Sequence, residues 1–523
     1  MTQSESLISS DGFISEQLQD LLKACLTFVK QTFAVQDENN ISDKFIELLL
    51  MIFSNVFNFP IIFTLIFIYG RVSSFYQAKR TKYYFQPSNS LFSEMLQKSK
   101  LTQMRYKPWT YAFNGHWQAV LYPAVETVHK LLSNFKLTGE VLALSDGGQI
   151  LLDWYVNPNV TTENPDEESQ DETQQDVGAH YTRKNPLVVI VPGLTGDSTN
   201  LYVQSTLREA EKHGYDAVVV NYRCQAGVKP TVNHIVTYSQ QSPHIYHGAN
   251  TTDLQEAIEW IMDVRTESEL YGVGISLGAG ILANYVAKMK DDCPLKAAVS
   301  VGCYYDTERS MNHLKTYWFG VYDYILGLFT KMTNQETVQI IDGLNAKHNP
   351  DRIIGADYSK VYRLTGFIEN IVMKIQGIKN YKDYLLESSC THRLKDVKIP
   401  LFFLSANDDP IFGNKCIPYD QCHENILIGV TKAGGHLGYF EGLVLPHKQW
   451  FPEPSFEFLN FVRDQGRLDP QGSLSYSYSL TQTEIKRKSS QNGLVQFGKI
   501  VSNGSLDKDL RKRCISTPNL LID

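Results

Sequence analysis

The sequence predicts an α/β protein with a mostly parallel central sheet and helices on both faces. Two observations favour this class. Short apolar runs alternate with longer helical stretches after residue 185, which is typical of a parallel sheet. The chain also has 523 residues, 43% of them hydrophobic and 20% charged, which suffices for one large domain with extensions.

A membrane signal lies near the N-terminus. Residues 48–69, "LLLMIFSNVFNFPIIFTLIFIY", carry no charge over 22 residues, about the length that spans a hydrocarbon core. No small-residue cleavage site follows them, but a basic flank does: Arg71, Lys79, Arg80 and Lys82. We therefore predict an N-terminal region over 1–45 and a transmembrane anchor over 46–70, with the C-terminal part on the cytosolic side. Pro60 leaves a re-entrant or surface-lying hairpin open, as well as a buried soluble helix.

The predicted elements begin with a hairpin, "LTGEVLALSDGGQILLDWYV", which has Asp146-Gly147-Gly148 at its turn. Residues 157–185 are polar and acidic, and we predict a disordered surface insertion there. The strands and helices of the sheet are then predicted in this order: "LVVIVPG", 199–213, "YDAVVVNYR", 251–264, "YGVGIS", 277–290 and "KAAVSVG". The aromatic-rich residues 304–390 predict a helical cap over the carboxyl edge of the sheet. Beyond them, "IPLFFLSANDDP" and "ENILIGVTKAGGH" predict two further strands.

Charge and cysteine content exclude several classes of protein. The 49 Lys and Arg against 56 Asp and Glu give a net charge of −7, and seven of the acids lie in the 157–185 insertion, so nothing indicates a nucleic-acid partner. The eight cysteines lack the dense spacing of a disulfide scaffold and predict free thiols. Cys416, Cys422 and His423 lack a fourth ligand at suitable spacing, so we predict packing there, with no metal and no cofactor.

The serine-rich tail, 469–523, has few apolar clusters and is predicted to be disordered. Basic residues precede several hydroxyl side chains in it: Ser489, Ser490, Ser516 and Thr517. Phosphorylation-dependent partners of this tail are therefore a hypothesis.

A candidate nucleophile stands in "YGVGISLGAG", where Ser276 lies between Gly274 and Gly278. A Gly-x-Ser-x-Gly that follows a strand and precedes a helix forms a sharp turn, which projects the serine oxygen above the sheet. The pattern alone is weak, because glycine and serine are common in turns. Its position after an apolar strand and before "LGAGILANYVAKM" favours the catalytic interpretation.

A nucleophilic serine needs a histidine base and a carboxylate that orients it. Asp409 ends one later strand and precedes Pro410, with Asp408 as the competing acid. His436 follows the next strand, after two glycines that give its loop freedom. The chain order of serine, acid and histidine, each after a later strand, therefore predicts a triad of Ser276, Asp409 and His436.

An acyl-transfer site also needs backbone amides that bind the oxyanion. "VPGLTG", residues 191–196, ends an earlier strand with a glycine-bearing loop. The amides of Leu194 and Leu277, the latter next after the nucleophile, are the predicted pair.

Several motifs together resemble the type-4 group of the alpha/beta-hydrolase superfamily, whose members are membrane-anchored lipases and esterases. They are "GHWQAVLYP" at 115–123, "NPLVVIVPGLTGDSTNLYV", "VVVNYR", "GVGISLGAG", "NDDPIFG" and "AGGHLGYFEG". The resemblance runs over about 105–465 and implies an alpha/beta-hydrolase fold there. It places the acid directly before proline, which favours Asp409 over Asp408.

The resemblance implies hydrolysis of carboxylic esters of lipids, such as acylglycerols or phospholipids, by a single-pass protein of the endoplasmic reticulum or another endomembrane. Two alternatives stay open: acyl transfer to an alcohol by the same triad, and a non-catalytic membrane scaffold. An acyltransferase pattern of His with Asp five residues later is absent, because Glu441 holds that position. The stretch after "NYR", the acidic insertion and the tail depart from the family pattern, so substrate choice and regulation transfer less well than the triad.

Overall fold

A ten-stranded sheet carries the elements of the described part of the chain. The computed structural model describes residues 60–132, 135–160, 180–181, 183–230, 244–348, 354–468 and 514–516. The strands are β1 (Lys82–Tyr84), β2 (Thr138–Ala143), β3 (Gln149–Tyr155), β4 (Leu187–Val191), β5 (Asp216–Asn221), β6 (Leu270–Ile275), β7 (Leu295–Val301), β8 (Leu401–Ala406), β9 (Ile426–Thr431), β10 (Phe440–Glu441), β11 (Lys448–Gln449) and β12 (Cys514–Ser516). Ten of them form one sheet in the order β1-β9-β8-β7-β6-β4-β5-β3-β2-β12, and β10 pairs with β11.

Helices connect most of the strands. They are α1 (Pro60–Gln77), α2 (Ser90–Lys98), α3 (Gly115–Leu132), α4 (Leu201–Lys212), α5 (Thr252–Val264), α6 (Leu277–Met289), α7 (Thr307–Thr316), α8 (Val321–Thr333), α9 (Gln335–His348), α10 (Leu364–Phe367), α11 (Met373–Gln376), α12 (Tyr381–Ser388) and α13 (Pro452–Leu468). A π-helical turn, Ile368–Val372, joins α10 to α11. The helices α7 to α12 lie between β7 and β8, in the segment where the sequence predicts a cap.

Six neighbouring strands of the sheet, in the order β5-β4-β6-β7-β8-β9, pair in parallel. This confirms the predicted α/β class. Every residue of β4 is buried, because helices cover both faces of the sheet. Successive residues alternate between the two faces: Val189 packs with α5 and α6, whereas Ile190 packs with α4 and α13. Continuous apolar runs such as "LVVIV" therefore follow from burial on both sides.

The predicted hairpin is β2 and β3, which pair in antiparallel register. Gly147 has a positive φ of 85°, so the turn uses a conformation that glycine adopts readily. The short edge strand β1 pairs with β9 and has no counterpart among the predicted strands, because three residues carry too little periodicity to detect.

Several predicted segments lie wholly or largely outside the described residues. These are the N-terminal region over 1–45, most of the 46–70 anchor, most of the 157–185 insertion and all of the 469–523 tail except β12. Within the parts of the chain that the structure describes, no helix combines the length and the apolar character needed to cross a membrane. The anchor stays a prediction.

A buried ion pair ties the start of β5 to the end of α5. The guanidinium Nη2 of Arg265 donates to Asp216 Oδ2 at 3.0 Å, and the two side chains are 0% and 1% exposed. The other carboxylate oxygen, Asp216 Oδ1, accepts the amide of Asn157 at 2.9 Å. Removal of one partner from such a pair leaves an uncompensated buried charge.

We predict that Asp216→Ala lowers the free energy of unfolding by about 3–5 kcal/mol, because Arg265 loses its buried counter-charge. Chemical denaturation of the full chain measures the change. Glu267→Ala is the matched control, since the pair Lys184–Glu267 has side chains 65% and 63% exposed. That control should change stability by less than about 1 kcal/mol. Equal effects of the two substitutions would contradict the prediction.

Candidate active site

Ser276 stands at a sharp turn between β6 and α6. Its backbone adopts φ 55° and ψ −112°, a sparsely populated conformation for a residue with a side chain. The amide of Ser276 donates to the carbonyl oxygen of Val301 at the end of β7, at 2.8 Å. The strained turn is therefore fixed by a neighbouring strand, and it places the hydroxyl at the carboxyl edge of the sheet.

The two glycines that flank Ser276 are required by close packing. A Cβ on Gly278 would overlap the carbonyl oxygens of Val191 and Pro192, and one on Gly274 would overlap the carbonyl of Gly278. The first turn of α6 therefore presses directly on the end of β4. This contact explains why the Gly-x-Ser-x-Gly pattern stands at this point of the sequence.

The structure brings the three predicted triad residues into one hydrogen-bonded line. Ser276 Oγ lies 2.7 Å from His436 Nε2, and His436 Nδ1 lies 2.8 Å from Asp409 Oδ2. With Nδ1–H donating to the carboxylate, Nε2 is the acceptor for the serine hydroxyl. The carboxylate is itself held, because Asp409 Oδ1 accepts the amides of Ile411 and Phe412 at 2.8 and 3.2 Å.

Asp408, the competing acid, contacts the backbone instead of the imidazole. Its Oδ2 accepts the amide of Gly115 at 2.6 Å, and its Oδ1 accepts the amide of Gly435 at 2.9 Å. It therefore ties the N-terminus of α3 to the loop that carries His436. Burial raises the pKa of Asp408 to about 6, and the charge of Asp409 adds to the effect. This role is absent from the sequence-based prediction.

Three tyrosine hydroxyls hold the loop that follows β4. Tyr202 Oη accepts the amide of Gly193 at 3.1 Å, and Tyr246 Oη accepts the amide of Thr195 at 3.2 Å. Tyr222 Oη donates to the carbonyl oxygen of Pro192 at 2.6 Å. Burial raises the pKa of all three phenols, that of Tyr246 to about 12, so they stay neutral at physiological pH. Tyr202 and Tyr222 stand in two of the quoted motifs, but the sequence did not indicate these contacts.

The two amides predicted to bind an oxyanion come from two different elements. Leu194 lies in the loop after β4, and Leu277 is the first residue of α6. The amides of the neighbouring Gly193 and Thr195 are taken by tyrosines, whereas those of Leu194 and Leu277 have no acceptor within the described part of the chain. The N-terminus of α6, with no acidic residue in its first turn, also favours negative charge there.

The cysteines considered as metal ligands do not form a cluster of ligands. Cys416 is a buried free thiol, and Cys422 Sγ contacts the carbonyl oxygen of Tyr419 at 3.5 Å. Among the residues that the structure describes, no three His, Cys, Asp or Glu side chains are grouped so that they could hold a metal ion. That the chain uses no cofactor stays a prediction.

Comparisons with known proteins agree with this architecture. A family model described as alpha/beta hydrolase fold matches residues 186–443. Phospholipase ABHD3 of Bos taurus is 27% identical over 349 residues, which cover 65% of this chain and 74% of the relative. Embryogenesis-associated protein EMB8 of Picea glauca is 27% identical over 350 residues, 66% of this chain and 70% of that protein. Monoacylglycerol lipase of Saccharomyces cerevisiae is 26% identical over 287 residues, 54% of this chain and 60% of the lipase.

We predict a pH-dependent stability that originates at Asp408. Its folded-state pKa of about 6 exceeds the ordinary value of 3.8, so its contribution to stability is full below pH 3.8 and is lost as the pH rises through 6. Asp408→Asn cannot titrate. The free energy of unfolding of the wild type, relative to this variant, should therefore fall by about 3 kcal/mol between about pH 4 and pH 7. Chemical denaturation over this range measures the difference, and parallel profiles of the two proteins would contradict the prediction.

Proposed function

Because the chain belongs to the alpha/beta-hydrolase superfamily, we propose that it is a membrane-anchored serine hydrolase that cleaves carboxylic esters of lipids such as acylglycerols or phospholipids. The observation that carries the proposal is the hydrogen-bonded line from Ser276 through His436 to Asp409. Relatives named phospholipase and monoacylglycerol lipase support the ester-hydrolase chemistry.

In the first step Ser276 Oγ attacks the ester carbonyl carbon while His436 Nε2 accepts the hydroxyl proton. The carboxylate of Asp409 holds the imidazole in the correct tautomer and stabilises the imidazolium that forms. The carbonyl oxygen becomes an oxyanion, which accepts hydrogen bonds from the amides of Leu194 and Leu277. One such donor contributes about 3 kcal/mol to the stability of the transition state.

The tetrahedral intermediate then collapses, and His436 gives its proton to the departing alcohol. Water attacks the acyl group on Ser276 with His436 again as the base, and the fatty acid leaves. The three tyrosines keep the Leu194 amide in place through both steps, because they fix the backbone on each side of it. The chemistry needs no metal or cofactor.

The 46–70 segment supplies proximity to the substrate in this proposal. A single-pass anchor in the endoplasmic reticulum or another endomembrane concentrates the enzyme beside lipids. The motifs that resemble the type-4 group support this location, as does the uncharged stretch at 48–69. We expect the hydrolase domain to occupy about 105–465, with the 304–390 segment as its cap.

We predict that a fluorophosphonate probe labels Ser276 in membranes that contain the wild-type chain. Ser276→Ala should abolish the label, and Asp409→Asn should slow labelling by about 10⁴-fold because the imidazole loses its correct tautomer. Gel fluorescence and mass spectrometry of the modified peptide measure both effects. Ser300→Ala, a buried serine on β7, is the control and should keep the label. An unlabelled but folded wild type would leave the non-catalytic scaffold as the better explanation.

We also predict release of fatty acid from a monoacylglycerol or a phosphatidylcholine in membranes by the wild type and not by Ser276→Ala. The expected rate enhancement follows from the triad and the two amide donors together. Mass spectrometry of the lipid products measures it. Products in which the acyl group sits on an added alcohol, with no free acid, would favour acyl transfer instead.

A further inference from the structure

Helix α8 carries most of its large apolar side chains on its exposed face, although Tyr322 and Leu326 pack on the core. Its buried residues are Tyr322, Asp323, Gly327 and Thr330. They include the carboxylate of Asp323 and the hydroxyl of Thr330. Its exposed large residues are all apolar or aromatic: Val321, Tyr324, Ile325, Phe329 and Met332. A helix on the surface of a protein in water normally shows the reverse arrangement. The distribution is that of a helix whose outer face contacts an apolar phase.

Contacts on the inner face fix this orientation. The carboxylate of Asp323 accepts the amide and the hydroxyl of Thr365, both at 2.9 Å. A Cβ on Gly327 would overlap the backbone of Arg363, so α8 presses on the chain at that point. Rotation of the helix would break both contacts. The outward apolar face is therefore a built feature of the fold.

The turn before α8 also pushes an aromatic ring outward. Trp318 and Phe319 have positive φ values of 48° and 57°, followed by Gly320 at 77°. Two consecutive side-chain-bearing residues in this region are strained. In this conformation Phe319 is 96% exposed. The ring centres of Trp318 and His116 lie 4.2 Å apart in a stacked arrangement. We define the docking face as Phe319, Val321, Tyr324, Ile325, Phe329 and Met332.

Basic side chains border the docking face. Lys331 Nζ lies 4.7 Å from the ring centre of Tyr362, which stacks on Tyr324. The side chain of Arg363 is 50% exposed, and its Nη1 also lies 3.6 Å from Oδ2 of the buried Asp323. Apolar and aromatic residues with lysine and arginine at the margin are typical of helices that lie in a lipid headgroup layer.

A few direct contacts connect the docking face to the candidate active site. Trp318, next to Phe319, stacks on His116. The preceding residue, Gly115, gives its amide to Asp408, which neighbours Asp409 of the triad. A surface seated on lipid would therefore have the catalytic groups close to its edge.

We propose that the docking face rests on a lipid bilayer that carries anionic headgroups, and that it presents membrane lipids to Ser276. The choice of substrate rests on the function proposed above, whereas the membrane contact does not. A second copy of the chain fits less well, because a two-fold contact through this face would bring Lys331 and Arg363 towards their own copies. A bilayer with anionic lipid matches both the apolar face and its basic margin.

The test compares the wild-type full chain with a double variant, Phe319→Asp and Phe329→Asp. Both proteins are assayed on two substrates. Hydrolysis of a lipid ester in phosphatidylcholine vesicles with about 30% phosphatidylserine should fall at least about tenfold. Hydrolysis of the water-soluble ester p-nitrophenyl butyrate should stay within about twofold, since both rings are exposed and outside the triad. Leu386→Asp, an exposed leucine on α12 with 59% exposure, is the control and should change neither rate. An equal fall on both substrates, or no fall on vesicles, would overturn the proposal.

A second measurement does not depend on catalysis. The full chain with Phe329→p-benzoylphenylalanine is irradiated on the same vesicles, in the Ser276→Ala background, and adducts are identified by mass spectrometry. We expect lipid adducts at position 329 and none when the same amino acid replaces Leu386. Adducts to a second copy of the chain, or no adduct, would overturn the docking face. A wild type that hydrolyses neither ester would instead overturn the proposed function, while the crosslink still decides the membrane contact.

Discussion

The contact between Gly278 and the carbonyl oxygens at the end of β4 is the constraint on which the site depends. It sets the first turn of α6 directly against the sheet, and only a residue without a side chain allows that approach. The turn before it then forces Ser276 into a strained conformation, which costs of order 1–3 kcal/mol. The buried parallel strands on either side supply the stability that maintains the strain. The position of Ser276 is thus a property of the sheet as a whole.

The adjacent carboxylates of Asp408 and Asp409 make different contacts. Asp409 faces the imidazole, and its second oxygen is held by two backbone amides. Asp408 accepts backbone amides instead and joins the loop of His436 to the start of α3. Both residues lie just beyond β8, where the amide of Asp409 donates to the carbonyl oxygen of Ala406. The segment after β8 therefore supplies one acid that contacts His436 and another that holds its loop.

Much of the fold could be predicted because the parallel strands are buried on both faces and alternate with helices of ordinary length. The meeting of Ser276, Asp409 and His436 was predictable for the same reason, since the carboxyl ends of parallel strands share one edge of a sheet. The tyrosines that hold the Leu194 loop were not, because Tyr202, Tyr222 and Tyr246 come from different elements and each resembles an ordinary core aromatic. The reversed polarity of α8 also escaped prediction, since a sequence pattern shows that a helix has two faces but not which one faces the core.

The reversed helix adds a physical requirement to the fold. Each Å² of apolar surface that stays exposed to water loses roughly 25 cal/mol of stabilising free energy. On the inner face, Asp323 accepts hydrogen bonds from Thr365. Such an arrangement is stable beside an apolar phase and unfavourable in water alone. The same segment reaches the edge of the candidate site through the stacking of Trp318 on His116. In the proposed function a lipid substrate would reach Ser276 near this costly feature, so the polarity of α8 and the position of Ser276 would have a common explanation in a substrate that comes from a membrane.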